Sequence, residues 1–373
     1  MSSLKIGDSI SITIDRLAVG GDGVGRYQNQ VVFVPFTAPG DQCLVRIREL
    51  KQKFLRATLV QIKKPSPSRR EAPCSVFGQC GGCQWQHLDY TEQLRQKDQL
   101  VQYTFRKLAA PTQIKTILAS PTEWNYRRRI QLHWRDETLG YLKFKSHQHI
   151  PVETCHIADN KINDALKQFQ VPDSLKCSKY EIGINDSKEL YILPMDDEDK
   201  PFSQVNPYTN ELLLQTVTET LHKSKGLRVF DLYGGAGNFG VIIAERYPQK
   251  HVITVETQKG LATLAAEKKQ QKSLNNYEVI HSNVEDYLKR TNLEFSVAII
   301  DPPRAGCSPE TVRQLLRSQP EDIIYVSCDL MTAQRDLSQF TKKYSIETIQ
   351  PLDMFPQTDH LELVCHLRLG SSR

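Results

Sequence analysis

Three thiols crowd one short stretch of this chain: CSVFGQCGGCQWQH carries Cys74, Cys80 and Cys83. Cysteines so spaced are able to hold a metal, attack an electrophile, or pack as small apolar residues. A second set of reactive groups lies far downstream. Asp301-Pro302-Pro303-Arg304 follows the apolar run FSVAII, and Ser327-Cys328-Asp329 follows IIYV. A thiol ordinarily titrates near about 8.5, so modest local help supplies thiolate near neutrality and makes Cys328 a candidate nucleophile. A packed core cysteine is the ordinary alternative. Further on, MFPQTDHLELV gathers Asp359, His360 and Glu362. His360 fits a base, a ligand or a turn residue. Glu362 opens an apolar strand, where partial desolvation suits an acid or base.

The elements that must position these groups change character along the chain. Over residues 1–62, Ile10, Ile12 and Ile14 alternate with polar residues, and VVFVPF, CLVRIRE and LRATLVQI follow at short intervals. Short strands this close together predict a small β-barrel. The prolines of KKPSPSRREAP mark a linker. Residues 71–200 mix a helix over TEQLRQKDQLVQYTFRKL with the strands RRRIQLHW, TLGYLKF and EIGI, and end on the acidic MDDEDKP. Residues 201–373 alternate short buried strands with helices, which predicts an open, mostly parallel sheet covered on both faces. After the strand LRVFDLY, Gly235, Gly237 and Gly240 satisfy G-x-G-x-x-G. Glu256 ends the next strand, where a carboxylate can accept both ribose hydroxyls of a nucleotide-type cofactor. The glycines alone fit NAD, FAD or S-adenosylmethionine.

Composition bounds the function. No apolar run is long enough to span a bilayer, so no membrane partner is expected. The start MSSLKIGDS has no apolar segment, so no secretory signal is expected. Nine cysteines then argue for a reducing, cytoplasmic setting with thiols as ligands or nucleophiles. From Arg46 to Arg70 nine basic residues meet one acidic, Glu49. Such a run is ordinarily a solvated face; a polyanion such as nucleic acid is the sharper reading.

Taken in order, FSQVN, DLYGGAGNFG, DPPRAG, YVSCD and FPQTDHLE resemble the RNA 5-methyluridine methyltransferase family, specifically the bacterial 23S rRNA uracil-C5 methyltransferases that carry an iron–sulfur cluster. The likeness covers nearly the whole chain. It implies a multidomain protein: an N-terminal TRAM barrel (OB-like), a central α+β iron–sulfur domain, and a C-terminal α/β Rossmann-like class I methyltransferase domain. Cys74, Cys80 and Cys83 resemble the family's cluster motif, with Cys155 of VETCHIAD as the distant fourth ligand of a [4Fe–4S] cluster. The resemblance further implies that Gln204, Tyr233, Asn238, Glu256, Asn283 and Asp301 contact S-adenosylmethionine, with Cys328 as nucleophile and Glu362 as base. Two positions depart from the pattern. Asp329 stands where asparagine is usual and would add negative charge beside Cys328; Gly234 replaces a common cysteine.

The chemistry implied is methylation of uracil C5. That carbon is too weak a nucleophile until a thiolate adds at C6, so covalent catalysis is required. The base must also leave its stack, and the cost must be met by RNA contacts such as the basic run and Arg127-Arg128-Arg129. Trp124 and Tyr126 fit either base stacking or core filling. The expected partner is 23S rRNA, with tRNA as the alternative, and a monomer is expected because one chain holds every part. An iron–sulfur, nicotinamide-dependent redox enzyme is the rival reading, but it leaves DPPR, SCD and FPQTDHLE unexplained.

Overall fold

In the computed structural model, which describes residues 4–108, 113–168, 178–195 and 204–370, Ile10, Ile12 and Ile14 all point inward from strand β1 (Ser9–Leu17). With β2 (Gly23–Tyr27), β3 (Gln30–Val34), β4 (Gln42–Leu50) and β5 (Phe54–Lys64), β1 forms a closed barrel in the order β1-β2-β3-β5-β4. Its interior is aliphatic: Val32, Val34, Val45, Ile47 and Leu55 join the three isoleucines. The linker is pinned to the barrel, because Arg69 pairs at 2.7 Å with the fully buried Asp41.

Helix α1 (Tyr90–Phe105) begins at Asp89, whose carboxylate accepts the Glu92 N–H as an N-cap. After β6 (Gln113–Ile114) come β7 (Arg129–Arg135), β8 (Thr138–Leu142), β9 (His149–Pro151), α2 (Asn160–Gln168), β10 (Lys179–Ile184) and β11 (Leu190–Pro194). Their five-stranded antiparallel sheet runs β11-β10-β7-β8-β9. Residues 196–201 of the acidic MDDEDKP, and Phe202 and Ser203 of FSQVN, lie outside the described residues.

The remaining elements are α3 (Pro207–His222), β12 (Arg228–Leu232), α4 (Asn238–Arg246), β13 (His251–Glu256), α5 (Lys259–Gln271), β14 (Tyr277–His281), α6 (Val284–Lys289), β15 (Ser296–Ile300), α7 (Pro309–Ser318), β16 (Asp322–Ser327), α8 (Leu330–Phe340), β17 (Tyr344–Leu352) and β18 (Glu362–Leu369). They build one sheet in the order β14-β13-β12-β15-β16-β18-β17-β6. Strands β12 to β16 are parallel; β18 runs antiparallel to both β16 and β17. One face carries Leu213, Val217 and Leu221 of α3 with Phe239 and Ile243 of α4. The other carries residues of α6, α7 and α8 together with Leu100, Val101 and Phe105 of α1. Among the described residues no helix is long and apolar enough to cross a membrane.

Thus α1 and β6, which fall inside the stretch 71–200, contribute to the core and edge of the C-terminal sheet. The tie is also electrostatic. Lys97 of α1 and Asp353, just after β17, are both fully buried and meet at 2.6 Å, while the ammonium also donates to the Phe355 carbonyl and faces the Trp85 ring. Burial drives the Lys97 ammonium below its ordinary pKa, and Asp353 opposes that shift. Removing one partner strands the other charge. Lys97→Met is therefore expected to lower stability by about 3–5 kcal/mol, read as a lower urea midpoint, and Lys97→Met/Asp353→Leu to recover most of it. An unchanged midpoint in the single variant would show that the pair does not hold α1.

Candidate active site

The carboxyl ends of the five parallel strands point at one region, the usual ligand edge of such a sheet. Tyr233 follows β12, Glu256 closes β13, Asn283 lies just past β14, Asp301 follows β15 and Cys328 follows β16. The turn after β12 lets the chain reverse into α4 through Gly237, which caps the helix in the left-handed conformation (φ 80°). Both Glu256 oxygens are engaged: Oε2 accepts the Gly235 N–H at 2.9 Å and Oε1 the Gln258 N–H at 2.6 Å. A carboxylate has about four acceptor sites, so capacity for hydroxyl donors remains. The Gly234 departure has a steric reason. A Cβ there would sit 2.5 Å from the Thr254 methyl and 2.7 Å from an Asp231 oxygen, so this loop excludes a side chain unless neighbours shift.

The other expected cofactor contacts are distributed around this turn. Tyr233 shares a 2.8 Å hydrogen bond with Thr311 Oγ1. Asn238 and Asn210 exchange amide hydrogen bonds of 3.0 and 3.1 Å, and with Gln204 they line a cavity of about 250 Å³. Asn283 is the N-cap of α6, accepting the Glu285 N–H at 2.9 Å. Asp301 stands between two acidic neighbours. Burial, with Asp231 behind it, pushes the Asp301 carboxyl up to about 7.

Cys328 and Glu362 come together through strand pairing. β16 and β18 are antiparallel with Ser327 opposite Leu363, so the next step of the register sets Cys328 across from Glu362. Burial pushes the Cys328 thiol up to about 11; the negative charges of Glu362 and Asp301 add to this and Arg304 opposes it. Burial, reinforced by Asp301, likewise raises the Glu362 carboxyl well above its ordinary value, again against Arg304. His360 is pushed down by burial, and by Arg304 and Lys97, despite Asp359 nearby. Its ring is therefore neutral at pH 7. Arg304 is the member sequence reasoning passed over; its signal was its place in DPPR. The Asp329 carboxylate caps α8, accepting the Met331 and Thr332 N–H groups at 3.0 and 2.8 Å, and the negative charges that act most on the thiol are those of Glu362 and Asp301.

A cavity of about 390 Å³ adjoins this site. Cys74, Cys80, Cys83 and Cys155 all line it, alongside Arg127, Arg129, Arg304 and His360. All four cysteines are free, and each residue is half-buried. The Gly82 N–H donates to the Cys80 sulfur at 3.4 Å, and Asn163 Oδ1 fixes the Cys155 backbone at 2.8 Å. Among the described residues, no three His, Cys, Asp or Glu side chains converge on a point where one metal ion would sit. Of the expected RNA contacts, Tyr126 is core, fully buried with its hydroxyl on the Pro356 carbonyl. Trp124 packs under Arg70, 5.2 Å from the ring centre. The basic run divides: Arg69 and Arg70 are structural partners of Asp41 and Glu123, whereas Arg46 and Arg48 lie on the exposed face of β4.

Residues 178–369 match the family model described as tRNA (Uracil-5-)-methyltransferase, and residues 4–60 match the TRAM domain. The chain belongs to the tRNA (uracil-5-)-methyltransferase family. It is thus an S-adenosylmethionine-dependent methyltransferase of the RNA uracil-5 type. An RNA methyltransferase of Bdellovibrio bacteriovorus is 36% identical, over 98% of this chain and 96% of its own length. One from Bacillus anthracis is 27% identical over 99% and 98% respectively. The Pyrococcus abyssi tRNA (uracil-54, C5)-methyltransferase, solved with S-adenosyl-L-homocysteine, has the same fold: TM-score 0.75 at 23% identity, over 96% of this chain and 100% of that one.

In this family member the charges around Cys328 have testable signs. At a pH high enough to ionise Glu362, Glu362→Gln removes a negative neighbour and is expected to speed alkylation of Cys328, followed by mass spectrometry. Arg304→Gln removes a positive one and is expected to slow it. In both the rate should climb with pH, over a range below the wild-type thiol's value of about 11 in Glu362→Gln and above it in Arg304→Gln; the reverse order of the two variants would contradict the arrangement.

Proposed function

We propose that the enzyme methylates C5 of a specific uridine in 23S rRNA through a covalent Cys328–C6 adduct, with Glu362 removing the C5 proton. The observation that carries this reading is the register that faces Cys328 with Glu362 at the ligand edge of the sheet. Cys328, once ionised, adds to C6, and the C5–C6 π pair moves into an enolate. S-Adenosylmethionine supplies a methyl group on a positive sulfur. C5 takes that methyl, Glu362 takes the C5 proton, and the C6–S bond breaks to return the thiolate. A carboxylate raised by burial is a stronger base once ionised, which suits this removal. Arg304, the cation opposing both shifts, favours the thiolate and the carboxylate.

Gln204, Tyr233, Asn238, Glu256, Asn283 and Asp301 are proposed to hold the methyl donor. Residues 1–62 and 71–200 are the proposed RNA-binding parts and 201–373 the methyltransferase domain, with the single chain as the working unit. The shared cavity of Cys74, Cys80, Cys83 and Cys155 supports a [4Fe–4S] cluster, since each of four irons takes its own thiolate and the thiols need not meet at one point. Its proposed role is to tie the segment after the linker to that around Cys155. A tRNA target is the second reading, favoured by the family's description and by the solved Pyrococcus abyssi enzyme.

Labelled methyl groups are expected to enter 23S rRNA taken from cells lacking the enzyme, and not tRNA; labelling of tRNA alone would establish the second reading. Cys328→Ala is expected to abolish transfer, and Glu362→Gln to trap a denaturation-resistant protein–RNA adduct. Undiminished transfer by Cys328→Ala would remove the nucleophile assignment. Protein prepared without oxygen is expected to be brown and to contain iron, both lost in Cys155→Ser. A colourless, iron-free preparation would count against the cluster.

A further inference from the structure

Five residues before Glu362, Gln357 is fully buried and adopts a left-handed backbone (φ 70°), uncommon for a residue with a side chain. Each of its polar groups is engaged by a segment outside the C-terminal strands. Its N–H donates to Gln93 Oε1 at 2.9 Å, and its Oε1 accepts from Gln93 Nε2 at 2.9 Å and from the Arg70 guanidinium at 3.0 Å. Its Nε2 donates to Glu123 Oε2 at 3.0 Å. Its carbonyl accepts the N–H groups of Gln84 and Trp85, at 3.1 and 3.0 Å. Gln84 directly follows Cys83. The neighbours in the turn are fixed in the same way: the Pro356 carbonyl accepts the Tyr126 hydroxyl, and Asp359 Oδ2 accepts the Gly20 N–H of the barrel at 2.9 Å.

We infer that Gln357 is a positioning residue for the base: it locks the turn from Pro356 to His360 against the linker, the cysteine segment and α1, and so fixes where β18 begins and where Glu362 is held. This rests on the reading of Glu362 as base. Cys328 follows β16, whose other edge is held by parallel pairing with β15, away from this turn. Loosening the turn therefore affects proton removal at C5 and leaves thiol addition and methyl transfer nearly intact. The same bonds give the Cys83–Trp85 segment a route to the chemistry, because its N–H groups end on the turn that carries the base.

The test follows adduct formation and decay separately, using the full-length enzyme, S-adenosylmethionine with a labelled methyl group, and an in vitro transcript of whichever RNA the wild type methylates. Gln357→Ala is expected to form the methylated protein–RNA adduct at nearly the wild-type rate and to release it about ten- to hundredfold more slowly, the scale of a slight misplacement of a catalytic group. Binding of S-adenosylhomocysteine should be unchanged. Equal slowing of formation and release, or no change in either, overturns the inference, since a purely structural residue gives the first and an idle one the second. Should Gln357→Ala fail to fold, Gln93→Ala decides in the same terms, because it removes the reciprocal amide pair and keeps the backbone bonds from Gln84 and Trp85. Glu362→Gln run alongside separates the two levels: its failure to trap an adduct removes the base reading itself, whereas trapping by Glu362→Gln without trapping by Gln357→Ala removes only the inference.

Discussion

The antiparallel entry of β18 between β16 and β17 is the constraint on which the site depends. In a wholly parallel sheet every strand begins at the edge remote from the ligand, so a residue opening a strand stays away from the chemistry. Reversing one strand brings its first residue to the ligand edge. Glu362 is thereby brought within electrostatic reach of Cys328, the residue that leaves the neighbouring strand. Two groups separated by much of a domain in some orders of elements are here joined by one ladder of backbone hydrogen bonds, whose geometry leaves little freedom in their spacing.

The ladder adds Glu362 to acidic groups already gathered at the ends of the parallel strands. Asp231, Asp301 and Glu362 are each raised by burial, and each carboxylate disfavours ionisation of the next. Arg304 opposes the shift at Glu362, and it also favours the thiolate of Cys328. Before ligands arrive the thiol is thus held in its neutral form near pH 7, while Asp231 and Asp301, pushed up to about 6 and about 7, titrate close to neutrality. A positively charged sulfonium would act on them in the same sense as Arg304.

Much of this was legible in the sequence where the signal is local. The alternation of Ile10, Ile12 and Ile14 gave the barrel wall, and the glycine turn with Glu256 gave the loop between β12 and β13. The strand-end positions of Asp301 and Cys328 were readable from apolar runs that stop at polar residues. Other features were hidden because their partners are remote in the chain. Nothing near Lys97 announces Asp353, and nothing near Gln93 announces Gln357. The helix α1 was visible, but the sheet surface that buries it was not. Asp329 was read for its charge, whereas its place at the start of α8 gives that charge a backbone partner.

The short strand β6 carries a consequence for how the molecule can be divided. It pairs with β17 only through Thr348 and Ile349, assisted by the bridge from Leu118 to Leu352, yet it is contributed by chain that precedes the central sheet. A fragment cut near residue 200 would retain the whole ligand edge but lose this cover. The outer rim of β17 would then present unpaired N–H and C=O groups, and the α1 face of the sheet would be bare. Such an edge recruits other strands, so the catalytic portion is a unit by chemistry but not a unit that can be excised.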